Sequence, residues 1–154
     1  MKYNCVCFLL VFLFISCDRY GNVSFISGYD HDIVAHRFYD YNGDIFERIG
    51  IFSPGYQYLT NGRHRKYENL VAIRIETQEG TVLAEYLTEY LLYLRKIYGI
   101  KKKQIETWVL TEKNLFLLTK KIRKRYVHDL EKIIEYYRSD EAVHDLQVML
   151  EAGE

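Results

Sequence analysis

The sequence predicts an α+β domain, with a mostly antiparallel sheet and two main helices packed on one face of it. Three observations predict this class. An Asn42-Gly43 pair sits between two strand-like runs. Leu70 to Thr77 alternates apolar and polar side chains. Residues 82–98 and 120–138 each carry apolar residues at helical spacing.

The elements follow in order. Residues 18–28 are small and polar and read as a short tether. From Ile33 to Phe52 the pattern is a hairpin, because both central residues of a tight type I′ turn need positive φ, which Asn-Gly tolerates. Ser53-Pro54-Gly55 breaks the pattern, and Asn61-Gly62 marks another turn or loop. In the strand at 70–77, Val71, Ile73 and Ile75 alternate with Ala72, Arg74 and Glu76. The helix at 82–98 carries Leu83, Leu87, Tyr90, Leu91, Leu94 and Ile97, with Glu85 and Glu89 early, Arg95 and Lys96 late, and Gly99 as its stop. Residues 105–119 are open to two readings, a hairpin turning at Glu112-Lys113-Asn114 or a helix running through; the hairpin is favoured. The second main helix, 120–138, places Ile122, Tyr126, Leu130, Ile133, Ile134 and Tyr137 in one stripe. The tail, 140–151, reads as a short helix. Were Asp145–Leu150 a strand instead, residues 69–150 would run strand-helix-strand-strand-helix-strand, a ferredoxin-like arrangement.

Composition bounds the rest. With 154 residues, 49% of them hydrophobic and 27% charged, the chain holds one ordinary domain with a real core. There are 15 Tyr and 8 Phe against one Trp and one Pro. Tyrosine, apolar in body and polar at the tip, suits half-buried positions and contact surfaces. The 21 basic and 21 acidic residues balance, so net charge gives no reason to expect nucleic acid as a partner.

Cys5, Cys7 and Cys17 all lie in the first 17 residues. The start is short and positive (Met1-Lys2-Tyr3-Asn4), then apolar through Ile15, and stops at Ser16, Cys17 and the charged Asp18-Arg19. Crossing a bilayer takes about 20 apolar residues. This run is shorter and has the form of a signal-peptide core.

Phe14-Ile15-Ser16-Cys17 resembles the lipobox of bacterial lipoproteins with a type II signal peptide. Phe14 departs from the usual Leu-like first residue, a looseness similar to that of spirochaete lipoproteins. The resemblance implies cleavage between Ser16 and Cys17, diacylglycerol on the Cys17 sulfur, and acylation of the new amine. It gives a signal peptide at 1–16, a lipidated tether at 17–28 and a single globular domain at 29–154. With Cys5 and Cys7 removed, neither a disulfide framework nor a Cys-x-x-Cys site can form. Two or three acyl chains on one residue give lasting attachment, where one chain gives only marginal binding.

Several constellations bear on chemistry. Asp30-His31-Asp32 with His36 is the most metal-like cluster, yet His31 and His36 are five apart, which separates them on a strand. A polar loop entering the hairpin is the favoured reading. Asp40-Tyr41-Asn42-Gly43-Asp44 mimics the start of a calcium loop but lacks its sixth-place glycine and twelfth-place acid. No nucleophile motif or phosphate-binding glycine loop is present, and His64, His128 and His144 stand alone in sequence. The basic residues carry more. Lys101, Lys102 and Lys103 precede the expected hairpin at 105–119; Lys120, Lys121, Arg123, Lys124 and Arg125 follow it. A hairpin would bring all eight to one end, and five of them would crowd a helix start that disfavours positive charge. Contact with anionic lipid or an acidic partner is one reading; a solvated face with Arg125 paired to Asp129 is the other, and is favoured.

The expectation is an exported, lipid-anchored envelope protein with a binding or structural role, no catalysis and no cofactor. Its partners would be a membrane, through Cys17, and a protein or anionic surface. A metal-dependent envelope hydrolase and a sensor of anionic membrane are the alternatives.

Overall fold

The computed structural model describes residues 23–55, 57–59, 69–100 and 106–153. Among the described residues, eight strands and four helices form an α+β architecture with two four-stranded sheets. The strands are β1 (Val23–Ser27), β2 (Ile33–Tyr41), β3 (Asp44–Phe52), β4 (Gln57–Leu59), β5 (Asn69–Glu76), β6 (Val82–Tyr86), β7 (Glu106–Leu110) and β8 (Leu115–Leu117). The helices are α1 (Thr88–Ile97), α2 (Lys120–Arg125), α3 (Leu130–Arg138) and α4 (Asp140–Ala152).

One sheet has the order β3-β2-β5-β6 and is antiparallel throughout. Its hairpin turns at Asn42 (φ 54°) and Gly43 (φ 91°), the two positive φ angles a type I′ turn requires. Asp40 Oδ1 accepts the Gly43 N–H at 2.8 Å and fixes the corner. The other sheet has the order β4-β1-β7-β8. Here β1 runs parallel to β7, with Val23 opposite Glu106 and Ser27 opposite Leu110.

The second sheet is the middle layer. One of its faces meets the first sheet: Phe25 lies 5.8 Å from Phe52, and the Arg37 guanidinium stacks over both rings. Its other face meets the helices, where Phe116 packs 5.1 Å from Tyr137 of α3. Buried on both sides, this sheet lacks the alternation of a half-exposed one. Phe25, Ile26, Trp108, Val109, Leu110 and Phe116 are all within 1% of full burial. Each such side chain contributes about 1.5–3 kcal/mol relative to an exposed one.

Several expectations need correction. The single sheet is two sheets, and helices do not share one face: α1 packs on β5 and β8, with Arg95 bonded to the Leu70 carbonyl, whereas α3 packs on the middle layer. The ferredoxin-like arrangement is not formed, because the tail is helical and β5 lies in a different sheet from β7 and β8. The helix expected from residue 82 starts at Thr88; Val82–Tyr86 instead pairs with β5. The helix expected across 120–138 breaks at Val127 (φ 49°) and His128 (φ 63°). The tether expected to reach residue 28 overlaps β1, which is a buried core strand. The hairpins at 33–52 and 106–117, the strand at 69–76 and the Gly99 stop are as expected.

Candidate functional site

The outer face of the first sheet carries a row of exposed apolar side chains. Along β2 it presents Val34, His36, Phe38 and Asp40, and along β3 Ile45, Glu47, Ile49 and Ile51, which are their registered neighbours. Ile45 and Ile49 are each 60% exposed and Ile51 56%. Leu83 on β6 is also exposed.

A charged cluster sits in the middle of this face. His36 Nδ1 donates to Glu47 Oε1 at 2.6 Å, and its Nε2 lies 3.3 Å from Glu76 Oε2. Arg74 Nη2 holds the other Glu76 oxygen at 2.6 Å. Cross-strand registry explains the grouping: His36 is opposite Arg74 on one side and Ile49 on the other, with Glu47 and Glu76 diagonal to it. One histidine between two carboxylates, with an arginine on one of them, is an ion-pair array in which His36 Nε2 and Arg74 Nε are buried without a hydrogen-bond partner. It offers no nucleophile.

The metal-like cluster is rearranged. Asp30 and His31 are joined by Glu112 from the β7–β8 turn, their ligand atoms all within 4.8 Å of one another. His31 Nδ1 donates to Asp30 at 2.6 Å, which holds the Asp30 carboxyl below its ordinary value. Asp32 accepts from Gln78. His36 therefore does not belong with His31, as the five-residue spacing implied. The trio lies exposed at the surface, with the buried Tyr29 ring 5.7 Å from that of His31.

The basic residues divide. Lys101, Lys102 and Lys103 lie outside the described residues, as do Ser16 and Cys17, so convergence of all eight cations is not described. Lys120, Lys121 and Lys124 are exposed on α2. Arg125 pairs with Glu141 at 2.9 Å rather than with Asp129, whose side chain instead caps α3 by accepting the Lys132 N–H. Because α2 ends at Arg125, Arg123, Lys124 and Arg125 occupy a last turn, where carbonyl dipoles favour cations. The expected conflict with the helix dipole is thus removed for three of the five.

Arg123 has a further contact. Its Nη2 donates to Thr107 Oγ1 at 3.3 Å, and Thr107 Oγ1 shares a 2.7 Å hydrogen bond with Ser24 Oγ. The basic helix is therefore two hydrogen bonds from the N-terminal end of β1. Sequence spacing could not show this, since Ser24 and Thr107 are 83 residues apart.

Two cavities are open and shallow. One of about 630 Å³ is lined by Gly55, Ile134, Arg138 and neighbours; another of about 260 Å³ lies among Tyr98, Tyr136, Asp145 and Met149. In the first, the Ser139 hydroxyl caps α4 by accepting the Ala142 N–H; in the second, the Tyr136 hydroxyl donates to Asp145 at 2.7 Å. Among the described residues, no helix is long and apolar enough to cross a membrane. No protein-family model matches the chain, and neither curated proteins nor solved structures show significant similarity to it.

Proposed function

We propose that this is an exported envelope protein, anchored by diacylglycerol on Cys17, whose domain binds a protein or surface polymer and performs no catalysis. The observation that carries the reading is the Lys2-led apolar leader ending at Phe14-Ile15-Ser16-Cys17. The outer sheet face supports the binding role: exposed isoleucines around a charged centre make a contact surface. Five residues separate Cys17 from Val23, a reach of about 20 Å when extended, so the domain stands close to the membrane.

The test is the intact mass and detergent partitioning of the native protein, with Cys17→Ser alongside. A mature chain heavier than residues 17–154 by two or three acyl groups, lost in the variant, is the expected result. An unmodified full-length chain that still sediments with membranes sinks the proposal.

A second reading is that α2 touches anionic headgroups. The hydrogen-bonded path from Arg123 through Thr107 to Ser24 favours it, because it sets the basic helix beside the tethered end of β1. Vesicles with anionic lipid should then bind the protein more tightly than neutral ones, and Lys120→Ala, Lys121→Ala and Lys124→Ala together should abolish that difference. An unchanged preference, or one insensitive to salt, overturns this reading.

A further inference from the structure

The third strand has a property that its neighbours lack. Among the described residues it is an edge of its sheet, nine residues long, in unbroken register with β2 from Asp44 to Phe52, with no proline, lysine or bulge. Edges of this kind are normally blunted, because their outward N–H and C=O groups offer a template for another strand. The opposite edge, β6, has five residues and a register shift beside it.

The pairing rule tells which groups point outward. In a two-residue hairpin the closing pair, here Tyr41 and Asp44, is hydrogen-bonded, and bonded pairs then alternate. Residues 44, 46, 48, 50 and 52 therefore bond to β2. The backbone groups of Ile45, Glu47, Ile49 and Ile51 face away from it. Those same four side chains stand on the exposed outer face, three of them large and apolar. Outward-facing backbone and unburied isoleucine coincide along one strand.

We propose that this edge is a self-association surface, on which β3 of a second copy adds antiparallel about a two-fold axis at Ile49. Charge selects both the occupant and the register. A two-fold pairing must match outer-face residues with outer-face residues, and only axes at Glu47, Arg48 or Ile49 keep more than about five of the strand's residues paired. Centring on Glu47 sets Glu47 opposite its own copy, and centring on Arg48 sets Arg48 opposite Arg48; like charges directly opposed are destabilising. Centring on Ile49 opposes Ile49 to Ile49, Glu47 to Ile51, Arg48 to Gly50 and Phe46 to Phe52, with no like-charged pair. The chain has no net charge, so two copies do not repel at long range. The product is a closed dimer with a continuous eight-stranded sheet, both long edges consumed. This inference stands apart from the anchoring proposal and does not require it.

The experiment is sedimentation of the full chain in mild detergent across a concentration series, reading protein mass. Ile49→Pro removes an N–H that faces outward, leaving the β2 ladder intact, and Ile49→Lys places charge on the axis. Each should weaken dimerisation by about tenfold or more, with unchanged circular dichroism, while Leu92→Lys, an exposed substitution on α1, should not. A photo-crosslinking amino acid at position 49 should join Ile49 to the Ile49 segment of the second copy. A monomer at every concentration overturns the inference. So does a dimer indifferent to both Ile49 variants, growth of open-ended aggregates, or capture of a foreign strand by a chain that stays monomeric.

Discussion

Arg95 forks onto Glu106, its Nε and Nη2 each 2.9 Å from a carboxylate oxygen, while its Nη1 donates to the Leu70 carbonyl at 3.1 Å. Trp108 Nε1 adds a bond to the same carboxylate, and the guanidinium covers the Trp108 ring at 5.4 Å. One side chain on α1 thus ties β7 in the middle layer to β5 in the outer sheet. Both partners are largely buried, with side chains 16% and 14% exposed. Arg95→Ala should cost about 3 kcal/mol, because it leaves a buried carboxylate uncompensated. Arg95→Lys should recover only part of that, having no fork. Denaturant titration of both variants checks this; equal stability of Arg95→Ala and the parent contradicts it.

Buried tyrosines should set an alkaline limit. Burial, then Glu112, pushes Tyr29 up to about 12. Tyr86, Tyr98, Tyr136 and Tyr137 are raised as well, chiefly by burial, and Tyr90 in the same direction. A raised acid favours its protonated form in the fold. This contribution is complete below pH 10, the ordinary tyrosine value, and fades as pH climbs through 12. Tyrosinate absorbance should rise together with loss of structure in that window. Free titration near pH 10 with the fold intact would contradict it.

Val127 is β-branched, 82% exposed and held at φ 49°. Left-handed backbone costs an L-residue about 1–2 kcal/mol. Val127→Gly should therefore raise stability by about 1 kcal/mol, offset partly by glycine's looser unfolded chain. Thermal denaturation at fixed pH measures the difference, and a drop in stability refutes the assignment of strain.

At Gly28 the backbone leaves no room. An added Cβ would lie 2.9 Å from Thr111 Cγ2 and 3.1 Å from the Leu110 carbonyl oxygen, beside the 2.7 Å bond from Gly28 N–H to that oxygen. Gly28→Ala should destabilise by about 1–3 kcal/mol through overpacking. A neutral result in chemical denaturation would show that the β1–β7 junction yields.

Acid should release two exposed contacts. The Lys132 backbone N–H lowers the Asp129 carboxyl at the α3 cap, and Lys113 lowers Asp140. Depressed carboxyls stabilise above their unfolded pKa, and the effect is lost as pH falls through the folded value. Protection of α3 amides from hydrogen exchange should decline in that acidic range, and Asp129→Ala should remove the pH dependence. Unaltered protection contradicts it.

Local chemistry was legible where it was strong. Asn42-Gly43, the alternation of β5 and the β7–β8 hairpin needed only neighbours in sequence. Three features did not read locally. Val82–Tyr86 was hidden because Leu83, Leu87, Tyr90 and Leu91 keep helical spacing straight across the strand–helix junction. The break before Leu130 had a signal, Asp129 as a cap three residues before Lys132, but the apolar stripe from Ile122 to Tyr137 ran over it. Val23–Ser27 has serines that look solvent-directed; Ser24 is buried because Thr107 satisfies it from across the sheet. The site divides in the same way. Glu112 joins Asp30 and His31, and Arg123 joins Ser24, through tertiary pairing that no spacing encodes.

The parallel contact of β1 with β7 also has a kinetic side. The first described strand lies inside its sheet, between β4 and β7, and the strand that flanks it does not exist until residue 110 has been made. Most of the polypeptide must therefore emerge before its own beginning can be enclosed, and closing so long a loop is slow. A nascent form shorter than this keeps β1 without its parallel neighbour, so the middle layer is completed late.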